Sequence, residues 1–140
     1  MTTNRKMMRV PIVRGLHAGR GVPDDLTDWE IVGYREVAAV EGAGSNDQFF
    51  LAEVDGPSLE HEHILPGDFL LCRVTRDYEV GRIGIWQTPH GRTAKYAYYD
   101  PEGFLVLHND NSWRQEWAAS DVHLLGLAVR VERDLPAKWF

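Results

Sequence analysis

Residues 55–74 read DGPSLEHEHILPGDFLLCRV. The segment opens on a Gly56-Pro57 turn, passes a second corner at Pro66-Gly67-Asp68 and runs into the short apolar stretch Phe69–Val74. Turn chemistry followed by four to eight apolar residues is the signature of a strand. The same punctuation recurs on both sides. Phe49–Val54, Ile83–Gln87, Arg92–Tyr99, Phe104–His108 and His123–Val131 are apolar or alternating runs. Val80-Gly81, Pro89-His90-Gly91, Asp100-Pro101-Glu102-Gly103 and Asn109-Asp110-Asn111 separate them. Helix-period amphipathicity is weak throughout, and Asp24–Glu30 is the one place where a turn of helix is expected. The pattern predicts a mainly β protein: one compact, twisted, mostly antiparallel domain.

The bulk numbers agree. A chain of 140 residues, 44% hydrophobic and 11% aromatic, suits one domain with one core. No run approaches the ~18 apolar residues of a membrane span, and no signal-peptide pattern opens the chain. Cys72 is the only cysteine, so no intrachain disulfide can form. These features lead to the expectation of a cytoplasmic protein with no membrane partner. Residues 1–20 carry Arg5, Lys6, Arg9, Arg14 and Arg20 and no acid, or +5; the rest therefore carries −11 to give the net −6. An acidic body suits direct, specific DNA binding poorly. The division expected is a flexible basic arm over 1–20, its first ~9 residues disordered and Val10–Val13 extended, and a β domain over 21–140.

Two polar residues stand out. Ser58 sits on a bend, where a serine is either a turn residue or a displayed nucleophile. A hydroxyl needs a base to take its proton. The chain has three lysines, and Lys95 alone lies in an apolar strand-like run, RTAKYAYY. Burial there favours the neutral amine that a base must be; the competing reading is an edge-strand lysine that deters aggregation. His61 and His63 flank Glu62, but a third or fourth fixed ligand is not evident, so no metal and no cofactor are expected.

Together these segments resemble the self-cleaving Ser/Lys proteases of the LexA and UmuD type. VDGPSLEHEHILPGDFLLCRV is similar to the family's Val-x-Gly-x-Ser stretch, with Gly67 and Asp68 nine and ten residues after Ser58. Ser58 and Lys95 lie 37 residues apart, as in the family, with VGRIGIW before the lysine. VPIVRGLHAGRG resembles the cleavage region. NDNSW and LLGLAVRV resemble the late Asn-Ser turn and the last Gly-containing strand.

The resemblance implies a domain of the LexA C-terminal/UmuD type, closest in length and layout to UmuD. It implies an autoproteolytic serine peptidase in which Ser58 attacks the Ala18 carbonyl, the Ala18–Gly19 bond breaks, and Lys95 serves as base and then acid. Gly56, Pro57 and Ser58 would form the oxyanion turn. Pro57 has no N–H to give, so cleavage is expected to be slow. Implied partners are a second copy of the chain, a RecA–single-stranded DNA filament as activator and an error-prone DNA polymerase, in the SOS response to DNA damage. The alternatives are a cleavage-poor LexA-like dimerising or sensor module, and a soluble relative of the signal peptidases.

Overall fold

The structure, a computed structural model, describes residues 6–13 and 30–134. Nine strands form the framework: β1 Met7–Val13, β2 Ile31–Ala38, β3 Phe49–Glu53, β4 Phe69–Val74, β5 Gly84–Thr88, β6 Gly91–Tyr99, β7 Leu105–His108, β8 Arg114–Trp117 and β9 His123–Glu132. They make one sheet in the order β2-β1-β3-β4-β9-β5-β6-β7-β8. Every pairing is antiparallel except β1 with β3. The helical content of the described residues is two single 3-10 turns, Glu60–Glu62 and Ala119–Asp121. The mainly β, mostly antiparallel expectation is met.

Six runs read from the sequence coincide with β3, β4, β5, β6, β7 and β9 to within about two residues at each end. Three strands depart from the reading. Met7–Arg9, expected to be disordered, pairs with Glu36–Ala38, so the strand extends well ahead of Pro11. Pro11 stands opposite Tyr34, and the ladder to β3 involves only Ile12 and Val13, just past the proline. β2 and β8 alternate too weakly to be seen alone. Both are edge strands with exposed outer positions, so little apolar patterning is demanded of them. The Asp24–Glu30 helical turn falls almost entirely outside the described residues.

Both faces of the sheet carry buried side chains, and the core divides accordingly. Phe50, Ala52, Leu70, Cys72 and Ile85 pack on one side; Phe49, Leu51 and Leu71, the alternate residues of the same strands, pack on the other with Val10 and Val37. Trp86, Ala97, Leu105, Leu107, Leu124 and Leu127 form a third cluster under β5–β9. Cys72 lies in the first cluster, where burial pushes its thiol well above its usual range and leaves it unreactive.

β6 joins the two ends of the molecule. Its first half, Gly91–Lys95, pairs with β5; its second half, Tyr96–Tyr99, pairs with β7. Lys95 is the last residue before the strand changes partner, which places it at a seam rather than in the middle of a ladder.

Candidate active site

The site is built on the loop between β3 and β4. Its base is closed by two hydrogen bonds, Val54 N–H to the Asp68 carbonyl and Gly67 N–H to the Val54 carbonyl, both 2.8 Å. Gly67 adopts φ +91°, a left-handed value that a side chain resists, which is why the corner reads Pro-Gly-Asp. Inside the loop, Leu59 is 1% exposed and Ile64 7%, both packed into the core. Burying a leucine side chain stabilises by about 1.5–3 kcal/mol. Leu59 therefore anchors the residue next to Ser58 to the interior. The chain then coils through the Glu60–Glu62 turn, with Glu60 N–H donating to the Pro57 carbonyl at 3.0 Å.

An ion pair fixes the far end of the loop. Asp68 is buried, and its carboxylate accepts from Arg133 Nε and a terminal guanidinium nitrogen, both at 2.7 Å. Leu65 N–H donates to the same carboxylate at 2.8 Å, and Arg133 also reaches the His63 carbonyl at 2.7 Å. The Arg133 hydrogen bond holds the Asp68 carboxyl below its usual range against the opposing effect of burial.

On this frame Lys95 Nζ donates to Ser58 Oγ at 2.9 Å. Lys95 is 7% exposed, and burial lowers its pKa from the usual 10.5. It makes no salt bridge among the described residues. A buried amine with a hydroxyl for a partner and no carboxylate is biased toward its neutral form. An amine of lowered pKa at hydrogen-bonding distance from a hydroxyl is an arrangement that can support base-assisted attack by that hydroxyl.

The lysine backbone is held as well. Trp86 Nε1 donates to the Lys95 carbonyl at 2.9 Å. Gly84, opposite Lys95 in the ladder, makes room for that indole: a Cβ there would lie 2.7 Å from Trp86 Nε1 and 2.9 Å from Leu124 Cδ1. Tyr78 packs on Trp86 with ring centres 5.0 Å apart and accepts from Ala97 N–H at 3.0 Å, steadying β6 just past the lysine.

Ser58 and Lys95 open on a cleft of about 130 Å³ lined also by Val54, Asp55, Gly56 and Leu59 from the loop and Arg92–Ala94 from β6. Gly56 faces open space, so its smallness leaves the approach to the serine clear. The Ser58 N–H donates to no described residue, whereas Pro57 has no N–H. Ala18 and Gly19 lie outside the described residues. His61 and Glu62 approach at 3.9 Å, and no group of three or more His, Cys, Asp or Glu gathers as a metal site among the described residues. Asn109, Trp113 and Trp86 were not singled out from the sequence, and all three touch the pair or its backbone. The sequence signals for them are the NDNSW turn, which holds Asn109 and Trp113, and VGRIGIW, which ends on Trp86.

Comparison with known proteins places the described framework in one family. Residues 12–129 match the Peptidase S24-like family. The chain belongs to that family. Among curated proteins, the LexA repressors of Lacticaseibacillus casei (strain BL23) and Lacticaseibacillus paracasei (strain ATCC 334) are each 28% identical to it over 87 residues, 62% of this chain and 42% of the relative. The chain thus spans less than half the length of these relatives. The Peptidase S24-like match runs from β1 to β9 and includes Ser58, Lys95 and the loops that hold them.

Proposed function

We propose that the chain is a self-cleaving serine peptidase that cuts its own Ala18–Gly19 bond with Ser58 as nucleophile and Lys95 as general base. The observation that carries this reading is the 2.9 Å contact between a buried amine, without a salt bridge among the described residues, and the serine hydroxyl. In the reactive state the amine is neutral and the hydroxyl donates to it. Ser58 Oγ adds to the Ala18 carbonyl carbon as its proton passes to Lys95 Nζ. The C–N bond to Gly19 then breaks, Lys95 returns the proton to the departing amine, and water, activated by the same lysine, hydrolyses the ester. Because the target is part of the chain, cleavage draws on orientation worth up to about 7–11 kcal/mol. The Ser58 N–H serves as oxyanion donor. The lack of a donor at Pro57 slows the step, by about 10²–10³ if nothing replaces it.

The layout is UmuD-like: cleavage removes residues 1–18, which carry +4, and leaves residues 19–140 at −10. In this reading the cut product acts as a homodimer that regulates a translesion polymerase in the cytoplasm, with the RecA–single-stranded DNA filament as activator. Pro57 and the similarity to LexA repressors favour a second reading, a cleavage-poor dimerising or sensor module.

Incubation of the full chain at alkaline pH, followed by mass spectrometry, tests the first reading. Fragments 1–18 and 19–140 are expected, at a rate that climbs with pH through the lowered Lys95 pKa. Absence of these fragments, or their persistence in both Ser58→Ala and Lys95→Ala, overturns it.

A further inference from the structure

Asn109 and Trp113 bracket the turn that joins β7 to β8, and each touches a different member of the Ser58–Lys95 pair. Asn109 is 7% exposed. Its Nδ2 donates to the Ser58 backbone carbonyl at 3.2 Å. Its Oδ1 accepts from the N–H groups of Asn111 and Trp113, both at 3.1 Å, and its own N–H donates to the Trp113 carbonyl at 3.3 Å. One carboxamide therefore closes its own turn and ties that turn to the serine loop. The Trp113 ring centre lies 5.1 Å from Lys95 Nζ.

We propose that this turn is a clamp that positions both reacting groups: Asn109 holds the Ser58 backbone in place, and Trp113 covers the Lys95 amine. The inference rests on the dyad reading above and deepens it. Asn109 and Trp113 are positioning residues, since each acts through Ser58 or Lys95.

The need for the Asn109 contact follows from the local chain. Leu59 anchors the loop on one side of Ser58; on the other side come Pro57, without a donor, and Gly56, with no side chain to pack. The Asn109 bond is the cross-link that fixes the Ser58 peptide from outside its own loop. A nucleophile displaced by about 1 Å loses on the order of 10² in rate. Trp113 exerts two opposed effects on Lys95. Its ring face favours the ammonium, and its bulk keeps water from it. Burial is the cause of the lowered pKa, and the clamp reading assigns part of that burial to Trp113, whose ring centre lies 5.1 Å from the amine. The other charged side chains lining the cleft are Asp55 and Arg92. Asp110 on the turn acts on His108 and Tyr96, and Arg114, the first residue of β8, acts on His108.

The test uses the full chain and two readouts: self-cleavage against pH, and the titration of lysine 13Cε signals, simple to resolve because the chain has three lysines. Asn109→Asp keeps an acceptor for the turn N–H groups and loses the donor to Ser58. It is expected to lower the alkaline plateau rate at least about ten-fold and to speed amide exchange at Ser58 and Leu59. Trp113→Ala is expected to move the Lys95 midpoint upward toward 10.5 and cut the rate below that midpoint about three-fold or more, while Trp113→Phe restores the wild-type profile. A wild-type plateau and unchanged exchange in Asn109→Asp, or an unmoved Lys95 midpoint in Trp113→Ala, overturns the clamp. If the wild-type chain does not cleave, the dyad reading fails, and amide exchange and the Lys95 titration still decide the clamp.

Discussion

Two buried ionisable groups sit on either side of the serine loop, and they are treated in opposite ways. Asp68 is given a bidentate guanidinium and a backbone N–H. Its charge is fully answered, and its carboxyl is held below its usual range. Lys95 is given a hydroxyl and the face of an indole, and burial drives its pKa down. A buried charge that is paired supports structure; one that is left unpaired costs free energy, which the fold tolerates where the neutral form has work to do. The loop is thus staked at its far end by an ion pair and faced at its near end by an amine whose pKa burial lowers.

Substituting either member of the second pair gives the largest effect. Ser58→Ala or Lys95→Ala is expected to reduce self-cleavage by 10³ or more, read as the disappearance of the 1–18 fragment. A variant that retains cleavage would break the contrast. Gly84→Ala comes next. Its Cβ would press on Trp86 and Leu124, costing about 2 kcal/mol in denaturant unfolding and loosening the Lys95 carbonyl from its indole partner.

The pair at Asp68 responds in the opposite sense from the amine. Asp68→Asn is expected to lower the melting temperature by about 5 °C, an effect moderated because Arg133 is partly solvated. The signs with pH also differ. Asp68 binds its proton more weakly when folded, so its contribution is present above the ordinary carboxyl pKa of 3.8 and is lost as pH falls through the lower folded value. Asp68→Asn should flatten that acid limb. Lys95 also binds its proton more weakly when folded, so between its folded pKa and 10.5 the unfolded chain holds the extra proton and stability rises with pH. Lys95→Met should remove that alkaline rise and, by relieving a buried amine, add about 1 kcal/mol at pH 7. A loss of stability in Lys95→Met would show that the amine is structural after all. The smallest effect is expected at the exposed pair Arg82–Glu79, 3.7 Å apart: Glu79→Ala should change stability by less than about 0.5 kcal/mol.

Much of this is legible in the sequence. The six apolar runs became strands because strands buried on both faces demand continuous apolar residues, and turns between them demand Gly, Pro, Asn and Asp. Ser58 on its bend and Lys95 in its apolar run were visible for related reasons: each breaks the local pattern. β2 and β8 were not visible, because an edge strand with a wet side needs little patterning, and Met7–Arg9 was misread because a basic sequence does not reveal that a neighbour offers it a ladder.

The sequence by itself determined which residue types were available, among them a serine on a Gly-Pro bend and a lysine in an apolar stretch, and it carries the match to the Peptidase S24-like family. The tertiary structure alone decided that β6 changes partner at Lys95, that the amine meets the hydroxyl at 2.9 Å, that Arg133 answers Asp68 and that Asn109 reaches back 51 residues to Ser58. Local preference acts over a few residues, whereas burial and hydrogen bonding depend on which distant segments are brought together, and those are what set the charge on Lys95.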